Sequence, residues 1–218
     1  MSLPILYSLR RCPYCIRARL AILMAQQPVK LRDVVTRNLP VELLQASPKG
    51  TVPVLVINSS EVVDESLDIM LWALQQNDPL NLLLSDQPLS HQTEMMSLIN
   101  RNDSDFVPSL DKYKIAARYH HDNALTYRQE CEQFIITLEY HLAKQTFLMG
   151  ARPSLVDYAV LPFIRQFSRV DRKWYLGAPY PHLERWLNTL YQNPLYSKAM
   201  TQYPRWLDTK QEFLIGSV

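Results

Sequence analysis

The first two dozen residues leave this chain few ways to fold. Residues 4 to 9, Pro-Ile-Leu-Tyr-Ser-Leu, read as a short buried strand. From Pro13 onward Ile16, Leu20 and Leu23 recur at helical spacing. Proline suits the first helical position, where the N–H it lacks would have no intrahelical partner. Strand therefore gives way to helix within a few residues, and Arg10-Arg11-Cys12-Pro13-Tyr14-Cys15 occupies the junction. The alternation continues with a strand near Val29 to Val35, a helical piece at 41 to 46 and a break at Pro48-Lys49-Gly50. A strand from Val52 to Ile57, a turn at Asn58-Ser59-Ser60 and a short strand from Glu61 to Asp64 come next. Ser66 then reads as the cap of a helix whose apolar face holds Leu67, Met70 or Leu71, and Leu74. Such an order packs as a mixed sheet flanked by helices, an α/β domain spanning residues 1–76.

The texture then changes. Residues 77–89 are polar and proline-punctuated, which suits a linker, and residues 90–218 show almost only helical patterning. Tyr127, Cys131, Phe134, Leu138 and Leu142 mark one face of a long helix, and Leu183, Trp186 and Leu190 another. An α/β N-terminal domain followed by an all-α C-terminal domain is expected, and 218 residues suffice for two small cores. The formal net charge of +2 argues against a nucleic-acid or anionic-membrane partner. No apolar run reaches the ~18 residues of a membrane span. Met1-Ser2-Leu3-Pro4 lacks the basic and apolar regions of a signal peptide, so a cytoplasmic protein is expected.

The chain has three cysteines, Cys12, Cys15 and Cys131. A close pair in a reducing compartment reads as redox or metal chemistry. Structural zinc needs about four ligands, and none of His91, His120, His121, His141 and His182 makes a companion pair, so no metal is expected. The thiolate is the useful nucleophile. A cysteine just before a helix has its anion favoured by free N–H groups and the positive end of the helix dipole. Cys12 holds that place, with Arg10, Arg11 and Arg17 adding positive charge. Cys15 follows one turn later, so Cys12 reads as the attacking sulfur and Cys15 as the more buried resolver. Cys131, on an apolar helix face, reads as core filler.

Two further segments bear on the ligand. Thr51-Val52-Pro53 opens a strand, and a cis Val52-Pro53 bond would turn the Val52 N–H and C=O toward an extended peptide; an ordinary trans proline is the alternative. Asp64-Glu65-Ser66 offers helix N–H groups for a carboxylate and the Glu65 carboxylate for an ammonium, the two charges of an amino-acid end; plain helix capping is the alternative.

Together these segments resemble the N-terminal, thioredoxin-like domain of the glutathione S-transferase superfamily. Cys12-Pro13-Tyr14-Cys15 is similar to the glutaredoxin motif, and with the helical half the chain looks most like the GST-fold glutaredoxins of bacteria, with omega-class transferases and dehydroascorbate reductases as cousins. Ser154-Leu155-Val156-Asp157 and the following Tyr158 to Phe167 resemble the family's internal capping box and buried helix. The resemblance implies glutathione as cosubstrate, with Cys12 forming its mixed disulfide and Pro13 and Tyr14 lining the site. Val52 would bond the cysteinyl backbone, with Pro53 cis, and Glu65 and Ser66 would hold the γ-glutamyl end. Relatives often carry a lysine just before the proline that opens the second helix; here Leu39 precedes Pro40, and Arg37 or Lys49 would substitute. Tyr7 and Ser8 stand where many transferases keep an activating hydroxyl, but Cys12 displaces that role. Three functions follow: a thiol–disulfide oxidoreductase or thioltransferase acting on small-molecule or protein disulfides, a transferase conjugating glutathione to electrophiles, and a non-enzymatic interaction module. The second would draw an apolar acceptor pocket from Tyr113, Ile115, Tyr119, Phe163 and Trp206. The resemblance allows either a monomer or a homodimer.

Overall fold

The computed structural model of the chain describes residues 2–217. The elements are, in chain order, β1 (Ile5–Ser8), α1 (Pro13–Met24), β2 (Val29–Asp33), α2 (Val41–Ala46), β3 (Val54–Asn58), β4 (Glu61–Val63) and α3 (Ser66–Gln76). Then come α4 (Leu89–Arg101), a π-helical turn (Asn102–Phe106), α5 (Val107–Arg118), α6 (Ala124–Lys144), α7 (Leu155–Val170), α8 (Arg172–Gly177) and α9 (Pro181–Tyr191). The chain ends with α10 (Pro194–Ala199), α11 (Trp206–Thr209) and β5 (Phe213–Ile215). Two compact units result. One comprises the chain up to Leu80 and the residues from Asn193 onward; the other is Asn81–Gln192.

In the first unit the described strands form one sheet in the order β4-β3-β1-β2-β5. β1 and β2 are parallel, with Ile5 opposite Lys30 and Ser8 opposite Asp33. A parallel pair needs a crossover, and α1 supplies it. β3 is antiparallel to β1, β4 to β3, and β5 to β2. α1 is buried on nearly every side and packs on α3; its buried residues include Cys15, Ile16, Leu20 and Ile22, but also Arg17 and Arg19.

Two expectations are corrected here. The C-terminal stretch is not all helical: Phe213–Ile215 adds β5 to the sheet edge, and the residues from Asn193 pack with the first unit. Ion pairs from Glu212 to Lys30 (2.8 Å) and Arg32 hold it there. So does Gly216, at φ +79°, where an added Cβ would lie 2.1 Å from the Gln27 carbonyl oxygen. Ser66 is also not the cap of α3. Glu65 holds the N-cap position, and Ser66 is the first helical residue, buried, its Oγ accepting from Arg17 Nη1 at 3.4 Å instead of serving the next turn. Ile69 and Ala73 join Met70 and Leu74 on the buried face of α3, while Leu67 is half-buried.

In the second unit Phe106, Phe134, Tyr113 and Phe167 meet in the core in tilted and edge-to-face contacts, with centroid separations of 5.3 to 6.0 Å. The π-helical turn precedes Pro108, whose missing N–H interrupts the α-helical ladder at that point. The Ser154–Asp157 capping box opens α7 as expected, and α7 continues through Pro162. The fully buried Asp157 carboxylate accepts from Ser154 N (2.8 Å), Ser154 Oγ (2.9 Å), Leu148 N (3.0 Å) and Trp186 Nε1 (2.8 Å). Cys131 is buried on α6, and burial pushes its thiol up to about 12, consistent with a packing role. His120 and His121 are exposed after the end of α5. No helix among the described residues is long and apolar enough to cross a membrane.

Candidate active site

Cys12 is the N-cap residue of α1, with Pro13 at the first helical position as the sequence implied. Its own N–H is tied back to the Leu9 carbonyl at 3.1 Å, which fixes the loop leaving β1. Its side chain is partly exposed and packs against the buried cluster that includes Tyr7, Val34, Val52 and Val54. Tyr14 beside it is exposed. Cys15, one turn on, is completely buried, and both sulfurs are free thiols.

The two sulfurs are driven apart in acidity. Cys12 is lowered from 9.0 to about 7, first by the hydrogen bond from the Cys15 thiol, then, against a desolvation penalty, by the N–H groups of Cys15 and Tyr14 and by the Arg19 charge. Cys15 is raised well above 9.0 by burial and by its neighbour Cys12, although Leu9 N–H donates to its sulfur at 3.2 Å. Each form of Cys12 has a partner. The thiolate accepts from Cys15 and the helix N–H groups, and the thiol donates to the Val52 carbonyl at 3.8 Å.

Arg19 is a residue that sequence reading missed. The sequence points to Arg10, Arg11 and Arg17 for the positive charge; Arg17 is buried against Ser66, and the buried Arg19 adds its charge to the groups that lower Cys12. Its Nε donates to Ser8 Oγ at 2.7 Å and its Nη2 to Asp33 Oδ2 at 2.9 Å. Nη1 reaches the Ala199 and Thr201 carbonyls at 3.3 and 3.2 Å. Burial raises the Asp33 carboxyl even so, with Arg19 pulling the other way. The Ser8 hydroxyl in turn bonds the Cys15 sulfur. The signal available in the sequence is Arg19's place two helical turns after Cys12, on a mostly apolar helix whose other charged residue is Arg17. Tyr7 is likewise committed: its hydroxyl accepts from Arg32 Nη1 at 2.6 Å, and burial raises it. Both hydroxyls of β1 thus already accept from an arginine.

The Val52-Pro53 peptide bond is cis, and β3 begins just after it at Val54. Beside it, Lys49 Nζ lies 2.6 Å from Glu65 Oε1 and 3.2 Å from Asp64 Oδ1, while Asp64 Oδ2 accepts from Ser47 Oγ at 2.7 Å. Lys49 and Glu65, expected to meet opposite ends of a ligand, thus meet each other. Arg37 is exposed on the rim of a cavity of about 580 Å³ lined also by Leu9, Asp33, Val34, Arg205 and Asp208. Each of the five residues expected to form an apolar acceptor pocket can be placed within its own unit. Tyr113 and Phe163 are buried in the helical core, Ile115 and Tyr119 are exposed, and Trp206 lies in the first unit under the Arg32 guanidinium at 4.0 Å.

A five-stranded mixed sheet with an acidic cysteine thiol at the start of its first helix and a cis-proline beside it defines a thioredoxin-like protein; the second unit extends it with a helical domain. The family models described as glutathione S-transferase N-terminal domain and C-terminal domain match residues 6–81 and 106–189. The chain belongs to the glutathione S-transferase family. Among curated relatives, glutathione S-transferase omega-1 of Mus musculus is 27% identical, covering 88% of this chain and 78% of its own. Glutathione S-transferase omega-2 of Rattus norvegicus is 28% identical, covering 87% and 75%. A glutathione transferase family member from Pseudomonas fluorescens, solved with two glutathione molecules bound, superposes with a TM-score of 0.78 at 18% identity, covering 91% of this chain and 92% of its own. A glutathione S-transferase I bound to lactoylglutathione superposes with a TM-score of 0.74 at 20% identity, covering 91% and 99%.

Proposed function

We propose that the protein is a glutathione-dependent thiol–disulfide oxidoreductase in which Cys12 is the nucleophile. The observation that carries this reading is the acidity of Cys12: at about 7 the thiol is roughly half ionised at neutral pH, whereas one at 9.0 is about 1% thiolate. The omega-class relatives and the glutathione-bound neighbour supply the ligand.

The Cys12 thiolate attacks the glutathionyl sulfur of a mixed disulfide R–S–SG. The Cys12–SG bond forms, the disulfide bond between RS and SG breaks, and RS⁻ leaves and takes a proton from solvent. A glutathione thiolate then attacks Cys12–SG, releasing oxidised glutathione and restoring the Cys12 thiolate. Cys15, kept protonated at neutral pH, serves chiefly as the donor that stabilises Cys12 and only secondarily as a resolving sulfur. Val52 offers its backbone to the cysteinyl portion. The γ-glutamyl ammonium competes with Lys49 for Glu65, its carboxylate meets the start of α3 at Ser66, and Lys49 or Arg37 is left for the glycyl carboxylate.

Reduction of a glutathione mixed disulfide, followed with glutathione and glutathione reductase, tests the assignment. Cys12→Ser should abolish turnover and Cys15→Ser should retain part of it. Full activity in Cys12→Ser, or an aryl-halide conjugation rate that exceeds disulfide reduction and survives loss of Cys12, would sink the assignment.

A further inference from the structure

The helical unit carries a charged concavity of its own. Lys114 and Arg118 of α5 and Arg165 and Arg169 of α7 surround a cavity of about 340 Å³ floored by Ala117 and Val170, and no carboxylate lines it. Lys114 is oriented by Gln166 Oε1 at 3.1 Å and by Asp111 Oδ1 at 2.9 Å. Arg118, Arg165 and Arg169 make no ion pair among the described residues; Arg118 and Arg165 only lie over the Tyr119 and Tyr191 rings, at 5.6 and 5.9 Å. An adjoining cavity of about 370 Å³ shares Ala117 and Val170 and brings in Arg128 and Arg172 beside Asp171. In a chain of net charge +2 this is a local concentration of cations, not an overall bias.

The spacing matters. Lys114 and Arg118 are four apart on one helix, and Arg165 and Arg169 are four apart on the other. Like charges at that spacing repel, so each pair weighs against its own helix. Two such pairs facing one cleft, with Asp111 as the acid at its edge, serve no purpose in folding that the contacts reveal. They match an anion: guanidinium groups fork onto carboxylate or phosphate oxygens, and the volume falls within the range of small-molecule sites.

We propose that the cleft between α5 and α7 binds a small organic or inorganic anion carrying two or more carboxylate or phosphate groups. The site stands on the helical unit alone, independently of the chemistry assigned to Cys12. The test is calorimetric titration of the full chain with citrate and, separately, with pyrophosphate, at matched ionic strength. At least one should bind at one site per chain. The Arg165→Gln/Arg169→Gln variant should weaken that anion about tenfold or more, Arg118→Gln severalfold, and Lys198→Gln in the other unit not at all. Preference for citrate or for pyrophosphate tells carboxylate from phosphate ligands. If the double variant loses its helical circular dichroism, Arg118→Gln, at an exposed side chain, decides the matter. Absence of binding by both anions, or equal weakening by Arg118→Gln and Lys198→Gln, overturns the proposal.

Discussion

Replacing Cys15 by alanine isolates what makes Cys12 acidic. The drop from 9.0 to about 7 favours the Cys12 thiolate by about 2.7 kcal/mol, at 1.36 kcal/mol for each tenfold change. Burial opposes this, so the donors together supply more, and the Cys15 thiol comes first among them. If it supplies about half of the net effect, Cys15→Ala moves Cys12 to about 8 and cuts its thiolate fraction at neutral pH from about one half to about one tenth. Cys15→Ser keeps an O–H donor in nearly the same place while removing the second sulfur. Serine should therefore hold Cys12 near its wild-type acidity, and alanine should not. The assay is the pH dependence of thiolate ultraviolet absorbance, paired with iodoacetamide alkylation rates, in wild type and both variants. Cys131, buried and pushed up to about 12, stays silent until the protein unfolds. The reasoning fails if Cys15→Ala leaves Cys12 near 7, or if serine raises it as far as alanine does.

Two further outcomes can be measured. Asp157→Ala removes one carboxylate that four buried donors share and strands them; it should cost about 3–5 kcal/mol in denaturant unfolding, with Asp157→Asn losing less, and a loss below about 1 kcal/mol would show that the capping box is dispensable. Cys12 also links stability to pH. Its folded value, about 7, lies below the 9.0 of the unfolded thiol, so its contribution is complete above 9 and is lost as pH falls through 7. The stability of wild type relative to Cys12→Ser should thus rise by about 1–2 kcal/mol between pH 7 and 9, and a flat difference would contradict the depressed acidity.

Much of this was legible from residue order because local signals coincide with tertiary ones. Pro13 after a strand, the four-and-three spacing of Ile16, Leu20 and Leu23, and the Ser154–Asp157 box each state their own structure. β5 was not legible: three residues are too few for a strand period to register, and what recruits them is the edge of β2 with Lys30 and Arg32, nearly the whole chain away. Ser66 was misread because its capping chemistry is real but its hydroxyl has a competing partner, Arg17, brought in by the packing of α1 on α3. The Lys49–Glu65 pair was hidden for the same reason: two residues read separately as ligand contacts turn out to be each other's counter-ions.

Arg19 shows what such readings miss and why it matters to the chemistry. A buried guanidinium is tolerated only when its donors are satisfied, and Arg19 reaches Ser8, Asp33, Ala199 and Thr201. Those partners are the end of β1, the end of β2, and the end of α10 with the segment that follows it. One side chain on the helix that Cys12 caps therefore joins three segments remote in sequence, and these partners are what satisfy its buried charge. The residues after Asn193, which patterning alone assigns to the helical half, help to hold the cation that favours the Cys12 thiolate. Ser8 extends the same chain of contacts to the Cys15 sulfur, whose thiol is the first cause of the Cys12 acidity. The acidity of Cys12 is thus a property of the assembled first unit, C-terminal segment included, and not of the four-residue motif alone.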